Sequence, residues 1–129
     1  MKRYEERKKE LASATARLKE ALQENENEIV IDGTLHRFEF TFELARKTIK
    51  DYLEYLGIID GVGSPREIIK TAYANGIIDE GEEWIKMMLA RNSLSHLYDE
   101  EKSREIYIEI KKIYINLFES LNKKFSEIL

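Results

Sequence analysis

Cysteine is absent from this 129-residue chain, and with it go disulfides, thiolate zinc sites and cysteine nucleophiles. That absence suits a reducing compartment. Proline occurs once and glycine six times, so little interrupts a long helix. Histidine occurs twice, as His36 and His96. With no His-x3-His pair and no thiolate, neither a transition-metal site nor any other cofactor is expected. No run approaches the roughly 20 apolar residues that a membrane span needs. The opening MKRYEERKKELASA reads as a charged helix, and no apolar segment follows its lysines as a secretory signal requires. A cytoplasmic location without membrane contact is the expectation. Excess positive charge is also missing: the net charge is −4, which argues against a general nucleic-acid coat but leaves room for a local basic site.

What is present is 43% hydrophobic and 36% charged residues, the balance of a single globular domain spanning 1–129. The apolar pattern is helical almost throughout. Leu11, Ala14, Leu18 and Leu22 predict a first helix from about Tyr4 to Asn25. NENEIVID interrupts it, with Asp32-Gly33 as a turn or the next cap. Leu35, Phe38, Phe42, Ala45, Ile49, Tyr52 and Leu56 line one stripe of a second helix ending at Gly57. Phe40, Leu44 and Tyr55 give it a second apolar face, as a central or subunit-interface helix would have. Ser64, Pro65 and Glu67 form the start signature of a short third helix that stops at Asn75-Gly76. Asp79 caps a fourth, with Trp84, Ile85, Met88 and Leu89 facing inward. The last begins at Asp99, its stripe Ile106, Ile110, Ile113, Leu117, Leu121 and Ile128 flanked by Tyr107, Tyr114, Phe118 and Phe125. The expected architecture is all-α, an antiparallel up-and-down four-helix bundle with an additional short helix.

The chemistry concentrates in RNSLSHLY, residues 91–98. On a continuous helix Asn92 and His96 share a face, whereas Arg91 and His96 lie about 140° apart. Arginine and histidine act on one bond only if the helix breaks near Ser95 or a second subunit supplies the partner. A histidine moves protons near neutrality and an arginine grips phosphate oxygens in a fork. Together they can cleave a phosphodiester without metal, the base activating a 2′-hydroxyl and the guanidinium stabilising the developing charge. Asn92 is an orienting group and Tyr98 a hydroxyl for nucleotide contact or modification. Spacing alone also fits a plainer role, a basic residue complementing the dipole of a helix end.

RNSLSHLY resembles the Arg-x4-6-His motif of the HEPN superfamily, in the Arg-x4-His-x-Tyr form of HepT-type toxins. LHRFEFTFELARKTIKDYL, GSPREIIKTAYANGII and WIKMMLARNSLSHLYDEE are similar to the nucleotidyltransferase substrate-binding protein family, over about residues 30–110. The resemblance implies a helical bundle, usually a homodimer with the motif near its cleft, partnered with an MNT-type nucleotidyltransferase. It implies a metal-independent endoribonuclease in which Arg91, Asn92 and His96 are catalytic, silenced when the partner adds AMP to Tyr98. The alternative is a non-catalytic subunit that binds nucleotide or another substrate for the transferase. Arg46 departs from the tryptophan usual in the ELAWK stretch and offers added phosphate affinity. The transferase itself needs paired aspartates after a Gly-Ser turn; Gly63-Ser64 lacks them, and Ser64 reads as a cap. Glu39 and Glu43, one turn apart, read as a solvated face paired with Arg46 and Lys47, and His36 as a surface residue.

Overall fold

Asn27 decides where the second helix starts. Its side chain accepts a hydrogen bond from the Val30 amide at 2.9 Å, satisfying one of the amides a helix start leaves open. The computed structural model describes residues 3–59, 63–96 and 99–128. Helix α1 spans Arg3–Leu22, stopping a turn earlier than its pattern suggests. Helix α2 spans Glu28–Tyr55 and runs straight through Asp32-Gly33, which is neither a turn nor a cap. A Cβ placed on Gly33 meets nothing within 4 Å. Gly33→Ala is therefore expected to stabilise the protein by roughly 0.5–1 kcal/mol, seen as a higher urea midpoint at unchanged m-value.

Two helix ends require glycine. After α2, Gly57 sits at φ 75°, with Ile58 N–H bonding Leu53 C=O and Gly57 N–H bonding Glu54 C=O. Helix α3, Pro65–Ala74, closes the same way at Gly76, φ 74°, through Ile77 to Ala72 and Gly76 to Tyr73. This pair of reverse bonds satisfies orphan carbonyls at the cost of a left-handed residue. Ser64 caps α3 through the Glu67 amide at 3.2 Å. Helix α4 covers Gly81–Ser93, and Asp79 does not cap it. Its N-cap position is Glu80, without a side-chain bond, while Asp79 accepts from Lys124 at 3.1 Å. Lys124 also bonds the Gly76 carbonyl at 2.8 Å, so it fastens the α3–α4 link to the last helix.

Helix α5, Glu100–Glu109, is capped by Asp99 and passes through a π-helical turn, Ile110–Tyr114, into α6, Ile115–Glu127. Contacts give the directions. Arg7 meets Asp51 at 2.6 Å, Thr41 reaches the Ala14 carbonyl and Arg37 the Arg17 carbonyl, so α1 and α2 are antiparallel. Asp79 with Lys124 and Trp84 with Phe118 set α4 against α6, while Phe38 on Phe118 and Tyr52 on Phe125 run α2 beside it. The result is an up-down-up-down bundle with α3 as the extra helix.

An aromatic column fills the centre. Phe38 stacks on Tyr114 at 5.8 Å, and Trp84 meets Phe118 edge-on at 5.9 Å; offset and T-shaped pairs suit the ring quadrupoles. Besides Leu56 at the end of α2, two inward assignments fail. Leu89 is exposed and Met87 buried in its place, and Ile113 is exposed while Tyr114 is buried. The π turn explains the second: each residue advances less than 100° around it, so the positions beyond Ile110 rotate and Ile113 leaves the seam. Tyr114 Oη donates to Glu109 at 2.8 Å across that turn. Burial and this carboxylate push the tyrosine well above its ordinary pKa. Of the second α2 face, Leu44 is buried but Phe40 and Tyr55 are exposed, as is Leu56 at the helix end.

Candidate functional site

Arg91 lies in the last turn of α4, and the helix ends two residues later. Ser93 Oγ donates to the Ala90 carbonyl at 2.7 Å and Ser95 Oγ to the Asn92 carbonyl at 3.1 Å, side-chain bonds that compete with helical continuation. The chain tightens into a 3-10 turn over Leu94–His96. The break falls just before Ser95, the first of the two arrangements that the motif's spacing leaves open. His96 and Asn92 are exposed, while Arg91 is partly buried. Tyr98 lies outside the described residues.

Arg91 reaches toward α2. Its Nη2 stands 3.3 Å from Glu43 Oε2 and its Nε 3.9 Å from Glu39 Oε2. The Nε is buried with no hydrogen-bond partner among the described residues. Glu43 is shared: Arg46 Nε donates to its Oε1 at 3.0 Å and Arg46 Nη2 adds a second contact. Burial pushes the Glu43 pKa up, but the Arg46 hydrogen bonds and the charges of Arg46, Arg91 and Lys47 outweigh it and hold the carboxyl below its ordinary range. Arg46 is therefore engaged with Glu43 rather than free to add phosphate affinity. Sequence reading paired Glu43 with Arg46 and missed Arg91, because only the packing of α4 on α2 brings it there. No hydrogen bond or ion pair joins Arg91 to His96 among the described residues.

The lowered Glu43 pKa has a sign. A carboxyl whose folded value lies below its unfolded one stabilises the fold at neutral pH, and that contribution is lost as pH falls through the folded value. Glu43→Gln is expected to lower Tm at pH 7 and to flatten its decline on acidification. Thermal melts from pH 7 to below the ordinary glutamate pKa of about 4.3 check this; parallel curves for both proteins would refute the pairing.

On the far side of the motif, a cavity of about 450 Å³ is lined by Glu26, Glu28, Asp32, Asp99, Glu100 and Arg104, among others. Arg104 is bound to Glu26. A hydrogen bond to Glu100 raises the Glu28 pKa above its ordinary value. This acidic pocket repels phosphate. No group of three or more His, Asp or Glu residues among the described residues is arranged to hold a metal ion, and no helix there is long and apolar enough to cross a membrane.

An all-helical bundle carrying an Arg-x4-His segment at a broken helix end defines a class, and comparison with known proteins names it. Residues 6–127 match the family described as nucleotidyltransferase substrate binding protein like, and the chain belongs to that family. It is similar to a probable ribonuclease HepT of Haemophilus influenzae, 32% identical over 101 residues, covering 74% of this chain and 69% of that protein. The fold matches a crystal structure of a Thermus thermophilus protein with a TM-score of 0.79 at 28% identity, over 86% of this chain and 94% of that one. It also matches a Haemophilus influenzae protein described as having the fold of a substrate binding domain of a nucleotidyltransferase. There the TM-score is 0.82 at 23% identity, over 93% and 99% of the two chains.

Proposed function

We propose that this protein is the HEPN-type member of a two-component system with an MNT-type nucleotidyltransferase, and that it cleaves RNA in the cytoplasm without metal. The observation that carries the reading is the RNSLSHLY segment at the broken end of α4, with His96 exposed, in a chain similar to a probable ribonuclease HepT. His96 takes the proton of a 2′-hydroxyl, whose oxygen attacks the adjacent phosphorus. The 5′-oxygen leaves with a proton returned by the imidazolium directly or through water, giving a 2′,3′-cyclic phosphate and a 5′-hydroxyl. Arg91 neutralises charge on the phosphorane oxygens, and Asn92 orients the imidazole or the strand. Because Arg91 faces α2 and His96 faces solvent, a homodimer pairing two such segments is part of the proposal.

The first test is cleavage of total RNA and tRNA by protein made without its partner, with chelator present. Folded, unmodified protein that leaves RNA intact would shift the assignment to the non-catalytic reading, a nucleotide-binding subunit of the transferase. The family description favours that reading, as does the engagement of Arg91 by Glu43.

Silencing makes a separate prediction. With the cognate transferase, ATP and magnesium, Tyr98 Oη attacks the α-phosphorus and pyrophosphate leaves. Mass spectrometry is expected to find one AMP on the Tyr98 peptide, and cleavage should fall in step with its occupancy. An unmodified peptide after a reaction with demonstrably active transferase would sink this part.

A further inference from the structure

Arg17 and Arg37 are two of four arginines, with Arg3 and Arg66, that have no carboxylate partner among the described residues, and these two share one cavity. Arg7, Arg46, Arg91 and Arg104 each pair with a carboxylate. Among the described residues, no carboxylate comes within ion-pair distance of Arg17, Arg37 or the neighbouring His36. These three line one cavity of about 240 Å³ between α1 and α2, together with Ala14, Phe40 and Thr41. In a protein of net charge −4, two arginines left without counter-charges around one cleft form a local positive site. The cleft is built rather than incidental. Arg37 Nη1 donates to the Arg17 carbonyl at 2.6 Å, which fixes its guanidinium across the groove and leaves its other donors free. Thr41 Oγ1 is bonded to the Arg37 carbonyl at 2.7 Å, which holds the floor.

Phe40 supplies the second half of the chemistry. Its ring is 58% exposed, on a helix whose other phenylalanines, Phe38 and Phe42, are buried. An exposed aromatic face beside unpaired arginines is the combination that holds a nucleotide unit of a single strand: the base stacks, and the guanidinium forks meet the phosphate oxygens. The volume suits one base with its phosphate at the rim. Arg37 also borders a second cavity lined by Glu20 and Glu24, but neither carboxylate comes within ion-pair distance of it among the described residues.

Position links this cleft to the motif. His36, Phe40, Glu43 and Lys47 follow one another by four, three and four residues, so they occupy one strip of α2. Glu43 from that strip touches Arg91. The opposite route, past Asp99 and Glu100, is lined with carboxylates.

We infer that the α1–α2 cleft around Phe40, Arg17 and Arg37 is a binding subsite for one nucleotide of single-stranded RNA, adjacent to but separate from the Arg91–His96 segment. The inference rests on the ribonuclease reading for the strand's presence, but its test does not require cleavage.

The probe is a fluorescently labelled 2′-O-methyl hexanucleotide, which has no free 2′-hydroxyl to attack, and the readout is anisotropy on the full chain. Phe40→Leu and Arg17→Gln both alter exposed side chains, so folding is preserved, and each is expected to weaken binding about tenfold. Arg17→Gln should also make the salt dependence shallower, since a phosphate contact is lost. Arg66→Gln, which removes an exposed arginine on α3 away from the cleft, should leave the affinity unchanged. Wild-type affinity in both cleft variants, or no binding by the wild type, overturns the inference. So does a Phe40→Leu protein that changes from dimer to monomer with affinity intact, because the ring would then be an interface residue. Cleft-dependent binding without any RNA cleavage would leave this inference standing and remove the ribonuclease reading; cleavage with cleft-independent binding would do the reverse.

Discussion

His96→Ala is expected to reduce RNA cleavage by at least about 100-fold, the loss that follows when a positioned general base or acid is removed. The effect should fall on kcat with KM little changed, because the exposed imidazole acts on the transferred proton and not on the bound phosphates. Arg91→Ala should cost a comparable factor of about 100–1,000, the range found for a donor aimed at developing negative charge. Arg91→Lys tests the geometry. Lysine keeps the charge but not the fork, and its ammonium cannot reproduce two parallel bonds to a phosphorane. Its activity should stay close to that of Arg91→Ala. Purified variants with unchanged circular dichroism, assayed on tRNA with chelator, decide the matter: full cleavage by both His96→Ala and Arg91→Ala would place the chemistry elsewhere or show it absent.

Glu43 sharpens that experiment. In the structure Arg91 is held by Glu43, and Glu43 is itself held by Arg46. On the ribonuclease reading, an incoming phosphate would compete with a carboxylate already there. Arg46 improves the phosphate's chance, since each hydrogen bond it gives Glu43 reduces that carboxylate's demand on Arg91. The pairing of Arg46 with Glu43 follows from their spacing on α2; that Arg91 shares this carboxylate does not.

The second large effect concerns stability. Phe118 is fully buried and touches the rings of both Phe38 and Trp84. Phe118→Ala should cost about 3–5 kcal/mol, combining lost transfer energy with an unfilled cavity. For a domain of this size that corresponds to a Tm drop of roughly 10–20 °C. Its counterpart is Ile113→Ala, where the cost should be much smaller, about 1 kcal/mol, because the π turn has carried Ile113 to 39% exposure. An uninterrupted helix would instead bury Ile113 and make its truncation expensive. Chemical denaturation of the two variants therefore tests the core and the helical register together.

The helices, and most of their ends, were legible in the sequence for local reasons. Ser64-Pro65 and Asn75-Gly76 bound α3 as written, and Gly57 ends α2 in the left-handed conformation that side chains disfavour. The stripe Phe38, Phe42, Ala45, Ile49 is buried as its spacing predicts. Misreadings occurred where two local signals competed. Asp32-Gly33 looks like a turn, but Asn27 had already started the helix, and a glycine with open space around it costs too little to stop one. Asp79 is a good cap by type, yet Lys124 from the far end of the chain claims it.

The sequence by itself determined the all-α class, the short third helix and the Arg-x4-His segment, because helical period, caps and residue types are properties of neighbours along the chain. Tertiary structure alone decided what those residues meet. Arg91 reaches Glu43, Ile113 faces out, and Arg17 joins Phe40 across a cleft. Each depends on which helix face packs against which, and on a single π turn that shifts the register. Such choices follow from burying the whole aromatic core at once, and no short window of sequence contains them.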